Sequence, residues 1–211
     1  AGDGRDAGRK GHGQRFAVVE RVREFGDTVA QACQNLLRAV LIHDRKALDQ
    51  ARADLERSAN TDPLTGLYNR RYMETVLRTE LERSNRYGNA VVVGMVYFDN
   101  LKNLNEDFGY DAGDAALKLF ANVASEMMRE TDVIARWSDK EFIILMPETG
   151  AAGALNYLQR LTDRVGAEDF QAGTEHPRLT LSVGLGIAEE GDTLDKLVSR
   201  ADIAMHQSKQ S

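Results

Sequence analysis

An arginine and an aspartate stand three residues apart in Arg129-Glu130-Thr131-Asp132. A guanidinium offers a planar fork to a phosphate or to the Hoogsteen edge of guanine, and a carboxylate accepts from the N–H groups of a Watson–Crick edge. The same pair could instead be an exposed ion pair at a helix end, worth at most about 1 kcal/mol. Two other stretches concentrate polar chemistry: Asp99, Lys102, Asn105 and Asp114 in one, and Ser138-Asp139-Lys140-Glu141 in the other. Carboxylate oxygens are what hard Mg²⁺ selects, at about 2.1 Å. The four histidines, His12, His43, His176 and His206, show no recurring metal-ligand spacing, and the single Cys33 excludes an internal disulfide framework.

Composition narrows the classes further. The 211 residues carry 33 acidic against 27 basic side chains, a net charge of −6, which disfavours duplex nucleic acid or an anionic membrane as a partner. Hydrophobic content of 42% in a chain of this length suits one globular core with a helical extension. No apolar run approaches the roughly 20 residues that span a bilayer. The expected location is the cytoplasm, either free or as the cytoplasmic part of a larger or membrane-anchored protein.

The elements that must position these residues follow from hydrophobic periodicity. Residues 1–15 are rich in Gly, Asp, Arg and Lys and are expected to be a flexible tail. Val18, Val22, Phe25, Val29, Ala32, Leu36 and Val40 then recur at helical spacing. Asp44 looks like a break or N-cap before a second helical stretch with Leu48 and Leu55. Segment 16–60 is either a helical hairpin covering the main domain or a dimerising signalling helix, with about three heptads the minimum for a coiled coil.

The main domain is expected over 61–211, opening with turn chemistry at Asp62-Pro63-Leu64-Thr65-Gly66-Leu67. Asn69 is placed to N-cap a helix carrying Met73, Leu77 and Leu81. The apolar run 91–98 reads as a strand, followed by a polar loop and a helix with Leu117, Phe120, Ala124 and Met127. Strands over 133–137 and 142–146 form a hairpin around Ser138 to Glu141. A helix with Ala154, Leu158, Leu161 and Val165, an alternating strand over 179–187, and a helix with Leu194, Leu197, Ala201 and Ala204 complete the order. This α-β-α-β-β-α-β-α sequence predicts an α+β fold: a central antiparallel or mixed sheet flanked by helices, ferredoxin-like and nucleotide-cyclase-like, with the helices packed on one face.

With that framework, residues 61–209 resemble the GGDEF family of diguanylate cyclases, which condense two GTP molecules into cyclic di-GMP. Asp62-x-Leu64-Thr65-Gly66-Leu67-x-Asn69-Arg70-Arg71 is similar to the family's opening signature. Asp99-x-x-Lys102-x-x-Asn105-x-x-x-Gly109-x-x-x-Gly113-Asp114 resembles its nucleotide-binding loop, and Arg200-Ala201-Asp202-x-Ala204-x-x-x-x-Lys209 its last helix. The resemblance implies metal ligands at two positions, which here hold Tyr97 and Lys140. The signature itself reads Ser138-Asp139-Lys140-Glu141-Phe142, with both its glycines replaced. A phenol with a pKa near 10 is a poor Mg²⁺ ligand, and a lysine puts a positive charge where a cation should sit. Metal ligands and catalytic residues are therefore expected to be absent, with Mg²⁺ required only if the domain proves active.

The alternative is that Asp99, Asp139 or Glu141 supplies replacement ligands. Strand alternation argues that such neighbours aim at the opposite face. By the same resemblance, Asn105 and Asp114 would hydrogen-bond guanine, and Lys102 and Lys209 would meet the triphosphate, as a residual GTP site. Asp114 could equally be a helix N-cap partner and Lys209 a solvated terminal residue. Arg129 and Asp132 match the family's inhibitory product site, nine residues before the altered signature, and Arg160 matches a second arginine that serves it in some members.

The expected function is a catalytically inactive, cyclic di-GMP-binding regulatory domain in bacterial second-messenger signalling, with GTP as a second ligand. Its N-terminal helices would form a homodimer. Two other functions are open: a module that binds no nucleotide and regulates a partner phosphodiesterase or cyclase domain, and an active cyclase with rearranged metal ligands.

Overall fold

A computed structural model describes residues 31, 34–38, 40–43, 45–52 and 54–209. The expectations placed on the tail, on Val18, Val22, Phe25, Val29, Ala32 and Cys33, and on Asp44 lie outside these residues. The chain divides into two units, Ala1–Glu56 and Arg57–Ser211. In the first unit the described residues are α-helical, and Leu36, Leu41, Leu48 and Leu55 are exposed. Among the described residues no helix is long and apolar enough to cross a membrane.

The second unit carries a five-stranded sheet. In chain order its elements are β1 (Tyr68–Asn69), α1 (Arg70–Tyr87), β2 (Val91–Phe98), α2 (Leu101–Phe108), α3 (Tyr110–Met127), β3 (Val133–Arg136), β4 (Glu141–Pro147), α4 (Ala151–Ala167), β5 (Leu181–Ile187) and α5 (Leu194–Ser208). The strand order is β1-β3-β4-β2-β5. β2, β3, β4 and β5 pair antiparallel in the ferredoxin-like order, while β1 joins β3 in parallel and makes the sheet mixed. Two residues with one exposed side give β1 no apolar alternation, so it left no signal in the sequence.

Both faces of the sheet are covered, which corrects the expectation that helices pack on one face. All eight residues of β2 are buried. Val92, Val96 and Phe98 pack with Leu117 and Phe120 of α3 and Leu158 of α4. Their neighbours Val91, Val93, Met95 and Tyr97 point the other way, to Met73 and Leu77 of α1 and Leu197 and Met205 of α5. A continuous apolar run is what a central strand buried on two faces requires. Phe98, Phe120 and Phe142 form an aromatic group with centroids 4.4 to 6.1 Å apart, each ring worth about 2–3 kcal/mol of burial.

Local chemistry sets the boundaries. Asn69 caps α1, its side chain accepting from the Tyr72 N–H. Met73, Leu77 and Leu81 form the buried stripe of that helix. The stretch expected to be a polar loop after β2 contains α2, a short helix that buries Leu101 and Leu104 and leaves Lys102 and Glu106 exposed. Two buried leucines among Lys, Asn, Glu and Asp are too little periodicity to read.

Candidate functional site

The strand-to-hairpin corner is built by β2 and β4, which pair Tyr97 with Glu141. Tyr97 is 9% exposed, and two ammonium groups converge on it. Lys209 Nζ lies 3.8 Å and Lys140 Nζ 5.2 Å from its ring centroid. These ammonium groups, Lys209 first and then Lys140, draw the phenol pKa below its ordinary value of 10. In return the Tyr97 hydroxyl, with smaller contributions from Asp139 and Glu141, raises the pKa of Lys140. Lys209, at the C-cap of α5, is thus engaged with Tyr97 and is no merely solvated terminal residue.

A divalent cation does not fit this corner. Its two central positions offer a phenol and an ammonium group, with a second ammonium group on the same ring. Asp99 Oδ1 accepts a hydrogen bond from Ser182 Oγ at 2.6 Å, and Glu141 Oε2 accepts from Ser138 Oγ at 2.8 Å. Glu141 corrects one expectation, because cross-strand pairing with Tyr97 puts it on the same face of the sheet. Among the described residues no group of three or more His, Cys, Asp or Glu side chains is placed to hold a metal ion.

The hairpin tip is fastened from outside. Arg136 donates to both carboxylate oxygens of Asp62 at 3.2 Å and to the backbone oxygens of Ser138 and Asp139. Burial pushes the Asp62 pKa up, but hydrogen bonds from Thr65 and the Arg136 guanidinium outweigh it and hold the carboxyl below its ordinary 3.8. Arg70 sits 4.3 Å over the Trp137 ring. Asp139 is exposed and Lys140 half-buried.

Beside the tip lies a cleft of about 480 Å³ lined by Lys102, Asn105, Tyr110, Asp139 and Lys140 among others. Asn105 packs so closely on Gly113 that a Cβ there would collide with its amide. Asn105 Oδ1 is buried with no hydrogen-bond partner. Lys102 is exposed and 3.6 Å from Glu106. Asp114 is an exposed residue within α3 and caps nothing, since the N-cap is Gly109.

The third set surrounds the turn into β3. Asp132 is 8% exposed; its Oδ2 accepts from the backbone N–H of Arg129 at 3.1 Å, and its Oδ1 is buried without a partner. This is a side-chain-to-backbone turn and not the exposed ion pair that the spacing also allowed. Arg129 is exposed and lines a cleft of about 460 Å³ with Glu80, Arg83, Thr131, Pro147 and Glu148. The Asp132 and Arg160 charges act in opposite directions on a different group, Tyr157. Burial, then the Asp132 charge, pushes its hydroxyl up to about 12, with Arg160 opposing, and the hydroxyl is buried without a partner. The structure therefore joins Arg129 to Asp132 through backbone, and the Asp132 and Arg160 charges both bear on Tyr157.

Residues 59–211 match the family model described as diguanylate cyclase, GGDEF domain. The chain belongs to the GGDEF family. It is 36% identical to the response regulator PleD of Caulobacter vibrioides over 176 residues, which cover 81% of this chain and 39% of PleD. The chain therefore spans well under half the length of that relative. Among solved structures it resembles diguanylate cyclase SiaD of Pseudomonas aeruginosa, determined in complex with its activator SiaC. The TM-score is 0.71 and the identity 32%, over 97% of this chain and 79% of that one. It also resembles a microbial GGDEF domain described in its interaction with bis-(3′,5′)-cyclic di-GMP, with TM-score 0.64 and 31% identity over 74% and 94% of the two chains.

Three functional-site features went unread in this GGDEF sequence. Arg83 shares a cleft with Arg129 although 46 positions separate them, and only the packing of α1 beside β3 brings them together. Tyr157 sits on the buried side of α4 among apolar residues, where its spacing reads as core. The Asp62–Arg136 pair joins two motifs that the sequence shows 74 residues apart.

Proposed function

We propose that this GGDEF domain binds cyclic di-GMP at the Arg129–Asp132 turn as a regulatory ligand and does not synthesise it. The observation that carries the reading is the unpartnered Asp132 Oδ1, held in a turn whose first residue presents a guanidinium to an open cleft. A buried carboxylate oxygen without a donor costs about 1–3 kcal/mol or more, and a guanine Watson–Crick edge supplies two N–H donors of the kind it lacks. Arg129 and Arg83 line one cleft and suit the phosphates of the same ligand. Arg160 acts from the α4 side. The similarity to a GGDEF domain described with cyclic di-GMP supports this choice of ligand.

The loss of synthesis rests on the other corner, where Tyr97 and Lys140 stand at the two implied metal-ligand positions and Lys209 lies against the Tyr97 ring. Asn105 and Lys102, which line the neighbouring cleft, support GTP as a second ligand, with Asp114 matching the family position that meets guanine. Thermal unfolding tests both halves of the proposal. Cyclic di-GMP at 100 times its dissociation constant adds about 2.7 kcal/mol of stability, a gain expected to vanish in Arg129→Ala. Incubation with GTP and Mg²⁺ or Mn²⁺, followed by chromatography, is expected to yield no cyclic di-GMP above a no-protein control. No stabilisation of the wild type, or synthesis of the product, overturns the reading.

One observation favours a second activity alongside the first. Leu41, Leu48 and Leu55 recur every seven residues on the N-terminal helix and are 59%, 70% and 71% exposed. That seam suits a parallel helix of a second copy, or a partner phosphodiesterase or cyclase domain. Sedimentation of the full chain against Leu48→Glu tests it: a dimer should become a monomer.

A further inference from the structure

We infer that Tyr97, Lys140 and Lys209 form an anion site that takes the polyphosphate chain of a nucleotide, or inorganic polyphosphate, without a divalent cation, so that Mg²⁺ weakens binding instead of enabling it. The inference rests on the reading that this corner has lost its metal, and not on cyclic di-GMP binding elsewhere. Two ammonium groups converge on one nearly buried ring, at 3.8 and 5.2 Å. Like charges so placed repel, and attraction to the ring face offsets only about 0.5–2 kcal/mol. An anion seated against both relieves the repulsion and gains two charge-assisted contacts.

The surroundings supply a way in and a matching volume. Lys140 both faces Tyr97 and lines the cleft of about 480 Å³ that holds Lys102 and Asn105, a size within the usual range for small-molecule sites. A ligand in that cleft therefore meets Lys140, which shares the Tyr97 ring with Lys209. The opposing charges are identifiable. Glu141 Oε2 is bonded to Ser138 and Lys102 is paired with Glu106, while Asp139 and Glu141 help to keep Lys140 protonated. Mg²⁺ bound to a polyphosphate removes two negative charges and brings a dication toward two ammonium groups with no carboxylate pair to receive it. The sign of the Mg²⁺ dependence thus distinguishes an ammonium site from a metal site.

Calorimetric titration of the full chain with inorganic tripolyphosphate and with GTP, in EDTA and in excess Mg²⁺, tests the inference. Both ligands are expected to bind in EDTA and to lose about tenfold in affinity with Mg²⁺. GTP binding more tightly than tripolyphosphate identifies a nucleotide site, and equal affinities identify a bare polyphosphate site. Lys140→Glu and the milder Lys140→Gln, each checked by melting temperature, are expected to weaken binding in EDTA by about tenfold or more. The double variant Tyr97→Asp/Lys140→Glu should reverse the sign, binding GTP better with Mg²⁺. Absence of binding in EDTA, tighter wild-type binding with Mg²⁺, or unchanged affinity in both Lys140 variants overturns the inference. Titrating the same samples with cyclic di-GMP separates the two sites. Loss of tripolyphosphate binding alone leaves the Arg129 reading intact, and failure of cyclic di-GMP alone leaves this one.

Discussion

The two ends of the β3–β4 hairpin carry opposite chemistry. Before β3, the turn from Arg129 to Asp132 keeps a guanidinium in an open cleft and a buried carboxylate with an unpartnered oxygen. After β3, the tip from Ser138 to Glu141 carries Lys140, and the adjoining strand carries Tyr97, at the two positions where the family resemblance implies metal ligands. One short hairpin thus separates a turn that joins Arg129 to a buried carboxylate from a corner where two ammonium groups meet one ring. Fold and site chemistry can part company within a few residues, because the sheet depends on the apolar residues between the two ends.

The contrast can be broken most severely from its centre. Phe142 is fully buried against Phe98 and Phe120, and Phe142→Ala is expected to cost about 3–5 kcal/mol. Both ends should then fail together, as read by denaturant unfolding and by loss of cyclic di-GMP binding. Arg136→Ala is expected to cost about 2 kcal/mol, because it strips the Asp62 pair and two backbone acceptors at the tip. Its effect on ligands should be one-sided: tripolyphosphate binding falls while cyclic di-GMP binding at folded concentrations holds.

The same latch has a pH signature. Asp62 has a folded pKa below its ordinary 3.8, so its stabilisation is present above about pH 4 and is lost as pH falls through the folded pKa. Acid titration of stability should be shallower in that range for Asp62→Asn than for the wild type. At the other end, Tyr157→Phe removes a buried hydroxyl that has no partner and is expected to raise stability by about 1 kcal/mol. The smallest effect belongs to Lys102→Ala, whose exposed pairing with Glu106 predicts a change within about 0.5 kcal/mol.

How much of this was legible in the sequence depended on the range of the interaction. The buried run of β2, the Asn69 cap and the stripe of Met73, Leu77 and Leu81 are local patterns, and each reads directly as an element. Helix α2 was lost because two buried leucines in eight residues carry little periodicity, and β1 because two residues carry none. Coverage of both sheet faces was missed although β2 signals it, since eight consecutive buried residues cannot face solvent on either side. At the site, ordered motifs pointed to Tyr97, Lys140, Arg129 and Asp132. The convergence of Lys209 and Lys140 on one ring, the Arg83 contribution to the Arg129 cleft, and the position of Glu141 opposite Tyr97 depend on register and packing, which no local pattern encodes.

Calorimetric titration of the full chain with cyclic di-GMP in EDTA, comparing wild type, Arg129→Ala, Asp132→Asn and Lys140→Glu, tests the separation of the two hairpin ends most directly. Saturable binding is expected for the wild type and Lys140→Glu, with a loss of about tenfold or more in Arg129→Ala and Asp132→Asn. Absence of binding by the wild type, or full affinity in Arg129→Ala, would contradict it.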